Sequence, residues 1–335
     1  MMFTLNHALL GRSLLNIRSL SDAELAYMVD LAMALKTRRR AGVRGELLHR
    51  KHIALIFEKS STRTRNSAAI AVRDEGGHAE FLTGHDTHFG VKESVADSAR
   101  VLGRLFDGIL YRGYAQTTVE TLAARSGVPV WNGLTDESHP TQFLADMMTM
   151  REAFGEVRGK TMAYVGDGRN NVANSLMMGC AKAGIHFVNV TPRELFPSEA
   201  LVEEARAVAA KNGATIRVET DPATGVRGAN VLYTDVWVSM GEEDKKAERL
   251  ALLRPYQINL PLCEATGNLG GELIFLHCLP AFHDRNTEVS RETGALEVTD
   301  EVFEAPFSKV FDEAENRMHT IKALYVSALC SEAGF

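Results

Sequence analysis

Ser60-Ser61-Thr62-Arg63-Thr64-Arg65 sets hydroxyls and two arginines at the point where an apolar run, 52–57, gives way to a helical pattern. A helix that begins there turns free backbone N–H groups and the positive end of its dipole toward a bound anion. Serine and threonine hydroxyls add donors, and the Arg63 guanidinium can grip phosphate oxygens as a fork. One serine ahead of a helix is ordinarily only a cap. Hydroxyls and arginines crowded into six residues point instead to a phosphate grip, and so to a small phosphorylated substrate.

Four further clusters could do chemistry. His139-Pro140-Thr141-Gln142 puts a proline in a first helical turn, with an imidazole at the helix mouth and an amide one turn in. Val165-Gly166-Asp167-Gly168-Arg169-Asn170-Asn171 is strand, glycine turn, helix. It is close to a dinucleotide fingerprint, but Asn171 stands where the third glycine belongs. The strand ending Val188-Asn189-Val190-Thr191 also supplies no acid for a ribose. A nicotinamide oxidoreductase is therefore the second reading, and Asn170 and Asn171 can instead bind a carboxylate. Asp235, in Tyr233-Thr234-Asp235-Val236-Trp237-Val238-Ser239-Met240-Gly241, offers a negative charge suited to an ammonium group, or else a turn or cap. The charged stretch 242–249 after it fits a solvated helix face or a lid. In His277-Cys278-Leu279-Pro280-Ala281-Phe282-His283-Asp284, a cysteine ends a buried strand. Such a cysteine is usually a small core residue, but the carboxyl edge of a parallel sheet is where ligands bind.

The elements that must position these residues alternate along the chain. Short apolar strands are expected at 52–57, 79–82, 108–111 and 129–132, with a helix at about 62–75. A second series is expected at 161–165, 186–190, 215–219, 231–234 and 273–277. Strands alternating with helices predict an α/β protein of two domains, each a parallel-stranded sheet flanked by helices. Phe143, Leu144, Met147, Met148 and Met150 share a helical face over 141–154, which makes an interdomain hinge helix. The domains are placed at 1–150 and 151–315, with a C-terminal helix, 316–335, packing back on the first domain.

The 335 residues and 45% hydrophobic content suffice for two cores. A net charge of −6, with 37 basic and 43 acidic residues interleaved, gives no general attraction to nucleic acid or anionic membrane, so phosphate recognition must be local. No apolar stretch approaches the roughly 18 residues of a membrane span. Arg12, Arg18 and the absence of an acid before Asp22 raise a transit peptide. Ser21 as cap, Glu24 at the capping-box position, and Leu25, Met28, Val29 and Ala32 at helical spacing favour a first helix of the mature fold. Cys180, Cys263, Cys278 and Cys330 are widely spaced and form no CxxC pair, which fits a reduced, cytoplasmic setting.

Taken together, the chain resembles the aspartate/ornithine carbamoyltransferase family, and its ornithine branch. The motifs are SSTRTR at 60–65, HPTQ at 139–142, GDGRNN at 166–171, DVWVSMG at 235–241 and HCLPAFHD at 277–284. Lys92-Glu93-Ser94, Tyr111-Arg112-Gly113-Tyr114 and Glu315-Asn316-Arg317-Met318-His319 also match. The likeness runs from about Leu5 to the C-terminus and so is expected to leave no room for a presequence.

The resemblance implies carbamoyl transfer from carbamoyl phosphate to L-ornithine in a homotrimer or an assembly of trimers, with no metal and no redox cofactor. A paralogue acting on another amine or amino acid is the alternative within the family. Ser61, Thr62, Arg63 and Thr64 would hold the phosphate, and Arg112 would bridge phosphate and carbonyl oxygen. His139 would donate to that carbonyl, and Gln142 would contact the carbamoyl amino group. Asn171, Asp235, Ser239 and Met240 would hold the α-carboxylate and α-amino group of ornithine. Cys278, the Leu279 carbonyl and Arg317 would line the reacting centre. The neighbouring subunit would contribute His88 and Lys92. The sequence departs from the family at His88, where glutamine is common, and at Asn66, where a smaller residue is common.

Overall fold

The computed structural model describes residues 3–83, 92–238 and 245–335. His88, Ser239 and Met240 lie outside the described residues. The chain forms two compact units, residues 1–148 with 315–335, and residues 149–314.

The first unit opens with α1 (Asp22–Arg40), started by a complete capping box between Ser21 and Glu24. It continues through β1 (His52–Phe57), α2 (Thr62–Arg73), β2 (His78–Thr83), α3 (Val95–Leu105), β3 (Gly108–Arg112), α4 (Gln116–Ser126), β4 (Val130–Leu134) and α5 (Pro140–Phe154). All strands pair in parallel, in the order β2-β1-β3-β4. Five of the six residues of β1 are buried, as expected of a strand covered by helices on both faces. The chain order reverses between β1 and β3, where Phe57 lies opposite Arg112. A crevice at the carboxyl ends of two such strands is the usual ligand position in an open parallel sheet.

The second unit contains β5 (Thr161–Val165), α6 (Asn171–Ala183), β6 (His186–Val190), α7 (Glu199–Lys211), β7 (Ile216–Glu219), α8 (Pro222–Gly225) and β8 (Val231–Thr234). After these come α9 (Lys246–Leu253), α10 (Leu260–Ala265), β9 (Ile274–His277), α11 (Asp300–Phe303) and the start of α12 (Val310–Leu329). Its parallel sheet has the order β7-β6-β5-β8-β9, reversing between β5 and β8. The chain passes between units within α5 and again within α12. The later part of α12 packs in the first unit, where Tyr325 meets Trp131 edge-on at 4.7 Å and Lys322 pairs with Asp74 at 2.9 Å.

Candidate active site

In the first unit the hydroxyl-rich turn follows β1 and opens α2. Ser61 is the N-cap, its hydroxyl accepting from the Thr64 N–H at 3.1 Å. Capping occupies only one lone pair, so the Ser61 O–H can still donate to an anion. Thr64 lies one turn in and is fully buried. Its hydroxyl oxygen accepts from Arg317 Nη2 at 2.8 Å and, more weakly, from Arg112 Nη1 at 3.4 Å. Those two guanidiniums occupy both lone pairs, which leaves the hydroxyl proton to be donated elsewhere. Arg317 also donates through Nη1 to Gln142 Oε1 at 2.9 Å. The Gln142 amide in turn donates to Asp146 at 2.7 Å, so its orientation is set.

His139 completes this group. It is buried, and desolvation holds its pKa well below the usual 6.5, helped by the positive charges of Arg317, Arg112 and Arg63. The imidazole is therefore neutral at physiological pH. Its Nδ1 lies 3.3 Å from the Thr141 hydroxyl. If Nδ1 accepts there, Nε2 carries the proton and can donate.

Arg65 does not share this environment. Its guanidinium lies over the Phe81 ring at 3.7 Å, so of the two arginines in the motif only Arg63 belongs to the electrostatic surroundings of His139. Lys92 is exposed just ahead of α3. One neighbour carries no motif signal of its own: buried Lys59, just before the turn, pairs with Asp136 just before His139. A lysine closing an apolar strand was the only available hint.

In the second unit three strand ends contribute. After β5, Gly166 takes φ +146°, and Gly168 packs so tightly that a Cβ would fall 2.5 Å from Asn189. The Gly168 N–H is taken by Thr191 at 3.0 Å, and the Arg169 N–H by Asp167 at 3.2 Å. A pyrophosphate would need such N–H groups open, which weakens the dinucleotide reading. Asn170 caps α6 through Oδ1, and Asn171 is the first helical residue. After β8, Asp235 accepts from Asn170 Nδ2 at 3.2 Å, and from the Cys278 thiol, at the end of β9, at 3.1 Å.

Leu279 follows with φ +57°, a left-handed conformation costly for a non-glycine residue. Its N–H is held by His277 Nδ1 at 2.9 Å, and His277 Nε2 faces buried Glu297 at 3.2 Å. Asp235, His277 and Cys278 bring ligand-type atoms within 4.8 Å of one another, as do His283, Asp300 and Glu304. Both ring nitrogens of His277 are already engaged, so a cation there would displace an existing contact. In the second group His283 hydrogen-bonds Asp300 and stacks on Phe303.

Of the charged stretch 242–249, which reads as a solvated face or lid, 242–244 lie outside the described residues and 245–248 are exposed or half-buried, as a solvated face requires. Its last residue, Arg249, is the exception: it is buried, with Nη1 2.8 Å from buried Asp167 of the glycine turn. An ion pair between residues so far apart leaves no local pattern to detect.

Two family models match the chain. The aspartate/ornithine carbamoyltransferase carbamoyl-P binding domain covers residues 12–152, and the Asp/Orn binding domain of the same family covers 158–328. A catabolic ornithine carbamoyltransferase from Enterococcus faecalis is 52% identical over 331 residues, 97% of this chain and 98% of the relative. Its counterpart from Bacillus licheniformis is 54% identical over 325 residues, 95% of this chain and 96% of the relative. Among solved structures, ornithine carbamoyltransferase from Pyrococcus furiosus superposes with a TM-score of 0.88 at 40% identity, covering 97% of this chain and 99% of that one.

Proposed function

This chain belongs to the aspartate/ornithine carbamoyltransferase family, and from that premise we infer that it transfers the carbamoyl group of carbamoyl phosphate to the δ-amine of L-ornithine, giving L-citrulline and phosphate. The observation that carries the chemistry is the Thr64 hydroxyl, buried between two arginines that occupy its lone pairs. A hydroxyl so held is a preorganised donor.

We assign carbamoyl phosphate to the first unit. Ser61, Thr62, Arg63 and the α2 N-terminus receive the phosphate, with Arg112 and Arg317 adding positive charge. Lys92 and His88 of a neighbouring subunit complete the site. Gln142 meets the carbamoyl amino group. The neutral δ-amine attacks the carbamoyl carbon and forms the C–N bond, and negative charge gathers on the carbonyl oxygen. Thr64, Arg112 and His139 donate to that oxygen, the kind of stabilisation in which one donor is worth about 10²–10³ in rate. Collapse breaks the C–O bond and phosphate leaves with the electron pair. The amine proton released on C–N bond formation passes to phosphate or solvent. A neutral His139 suits this role, since it donates a hydrogen bond without releasing a proton.

We assign ornithine to the second unit. Asp235 pairs with the α-ammonium, alongside Ser239 and Met240, and Asn171 donates to the α-carboxylate. Cys278 and the Leu279 carbonyl, with Arg317, are assigned to the lining of the reacting centre.

The protein is proposed to act in the cytoplasm as a homotrimer. The four cysteines form no disulfide, and among the described residues no helix is long and apolar enough to cross a membrane. A groove of about 870 Å³ on the first unit, bordered by Ser60, Thr62, Arg65 and Phe81, offers a second copy a surface beside the phosphate turn. The test of function is citrulline formation by the purified protein from ornithine and carbamoyl phosphate. Wild-type turnover that survives intact in Arg63→Ala would undo the phosphate assignment.

A further inference from the structure

We propose that Asn170, the residue before the assigned carboxylate ligand Asn171, is a positioning residue for ornithine recognition: it orients the Asp235 carboxylate that pairs with the substrate ammonium. The inference rests on the functional reading above and goes beyond its set of contact residues.

Asn170 has two separable tasks. Its Oδ1 accepts the Ala173 N–H at 2.7 Å and so caps α6. Ser, Thr, Asp and Asn all perform that task about equally well, so capping alone does not call for asparagine. Once Oδ1 is committed to the cap, the amide cannot flip, and Nδ2 must face the opposite way. There it donates to the Tyr164 hydroxyl at 2.7 Å and to Asp235 Oδ2 at 3.2 Å, so both amide protons are engaged. Of the four capping types, only asparagine carries two N–H donors on a separate atom from the capping acceptor; serine and threonine have a single O–H on the capping oxygen itself, and aspartate has no donor.

Asp235 is thereby held from both oxygens. Oδ1 accepts from the Val236 N–H at 2.8 Å and from the Cys278 thiol, while Oδ2 accepts from Asn170. The carboxylate plane is fixed before substrate arrives, so ordering it costs the complex little. Tyr164 takes the other amide proton of Asn170. It is fully buried, and desolvation, reinforced by Asp235 and Asp167, holds its phenol protonated well above the usual range. The Tyr164 oxygen therefore accepts from Asn170 as a neutral group.

The cap and the positioning task can be parted by substitution. Asn170→Asp keeps the cap acceptor at the helix N-terminus, where a carboxylate is welcome, but turns a second carboxylate oxygen toward Asp235. Asn170→Ser also keeps the cap but removes the two amide N–H donors, leaving one O–H on a shorter side chain. The experiment is steady-state kinetics of the wild-type enzyme and both variants, each substrate varied in turn, with thermal melting in parallel. The KM for ornithine should rise about 10- to 100-fold in Asn170→Asp, and less in Asn170→Ser, the scale of a lost hydrogen bond to a charged group. The KM for carbamoyl phosphate should stay within about twofold, and melting within a few degrees, because the cap persists.

An unchanged ornithine KM in Asn170→Asp would overturn the inference. So would a parallel rise in both KM values with a lowered melting point, the mark of a purely structural role. A wild-type protein that forms no citrulline would overturn the functional reading and this inference with it. That outcome is distinguishable because it appears before any substitution is made.

Discussion

Thr64→Val removes one hydroxyl and keeps the side-chain shape, which makes it the sharpest perturbation of the carbamoyl phosphate group. Thr64 is fully buried at the first turn of α2, and its backbone N–H stays capped by Ser61 in the variant. The substitution deletes the 2.8 Å contact from Arg317 and the weaker 3.4 Å contact from Arg112. The first is a charge-assisted bond of about 1.5–3 kcal/mol, and the second, near the distance limit, adds little. Folding stability should fall by roughly 1–3 kcal/mol, since two guanidinium donors then face a methyl group. In catalysis the variant would lack the hydroxyl proton assigned to the developing oxyanion, so kcat/KM for carbamoyl phosphate should fall about 10²–10³-fold. Citrulline production with carbamoyl phosphate varied at saturating ornithine reads this directly. Thr64→Ser, which keeps the hydroxyl, should recover most of the loss. Equal activity of the Val and Ser variants, or a Val variant within about threefold of wild type, would refute the assignment of Thr64 as a donor.

Arg63→Ala should lose at least about 10² in kcat/KM for carbamoyl phosphate through the phosphate contact, checked in the same assay. Activity should climb toward alkaline pH, because ornithine must shed its δ-proton, with a pKa near the lysine value of about 10.4, before attack. His139, held neutral by burial and by Arg317, Arg112 and Arg63, adds no acid limb near pH 6.5, so a flat kcat/KM for ornithine from pH 6 to 9 would count against the mechanism. Stability should show a separate acid sensitivity. Burial depresses His319 from 6.5 to about 4, so its contribution is complete above pH 6.5 and is lost as pH falls toward 4. Between pH 7.5 and 5 the wild type should lose about 2 kcal/mol more than His319→Gln in urea unfolding; equal losses would exclude a proton-linked role for this residue. Asp235→Asn should raise the KM for ornithine, with little change for carbamoyl phosphate, in the same kinetic series.

Much of the framework is legible in the sequence because its signals are local. Each strand is a short apolar run, and each expected strand lies within two residues of its observed bounds, as at 215–219 against β7 (Ile216–Glu219). Capping residues announce helix starts, as Ser21 with Glu24 does for α1. Helix ends are blurred by fraying signals, so α2 stops at Arg73 where the pattern suggested 75. What stays hidden is pairing at a distance. Arg317 and Thr64 hydrogen-bond across 253 positions, Asn170 and Asp235 across 65, and Arg249 and Asp167 across 82. Nothing in the neighbourhood of either partner foretells such contacts, because tertiary packing decides which strand ends and which helices become neighbours. The stretch ending at Arg249 is the clearest case: its composition suits a solvated helix, yet its last charge is buried against the glycine turn.

The most direct measurement is a carbamoylation assay with carbamoyl phosphate and ornithine, putrescine or aspartate as acceptor. The account predicts that ornithine is turned over with the highest kcat/KM, putrescine poorly for want of the α-amino and α-carboxylate groups that Asp235 and Asn171 would hold, and aspartate poorly as well. Preference for putrescine or aspartate, or no citrulline from ornithine at all, would contradict it.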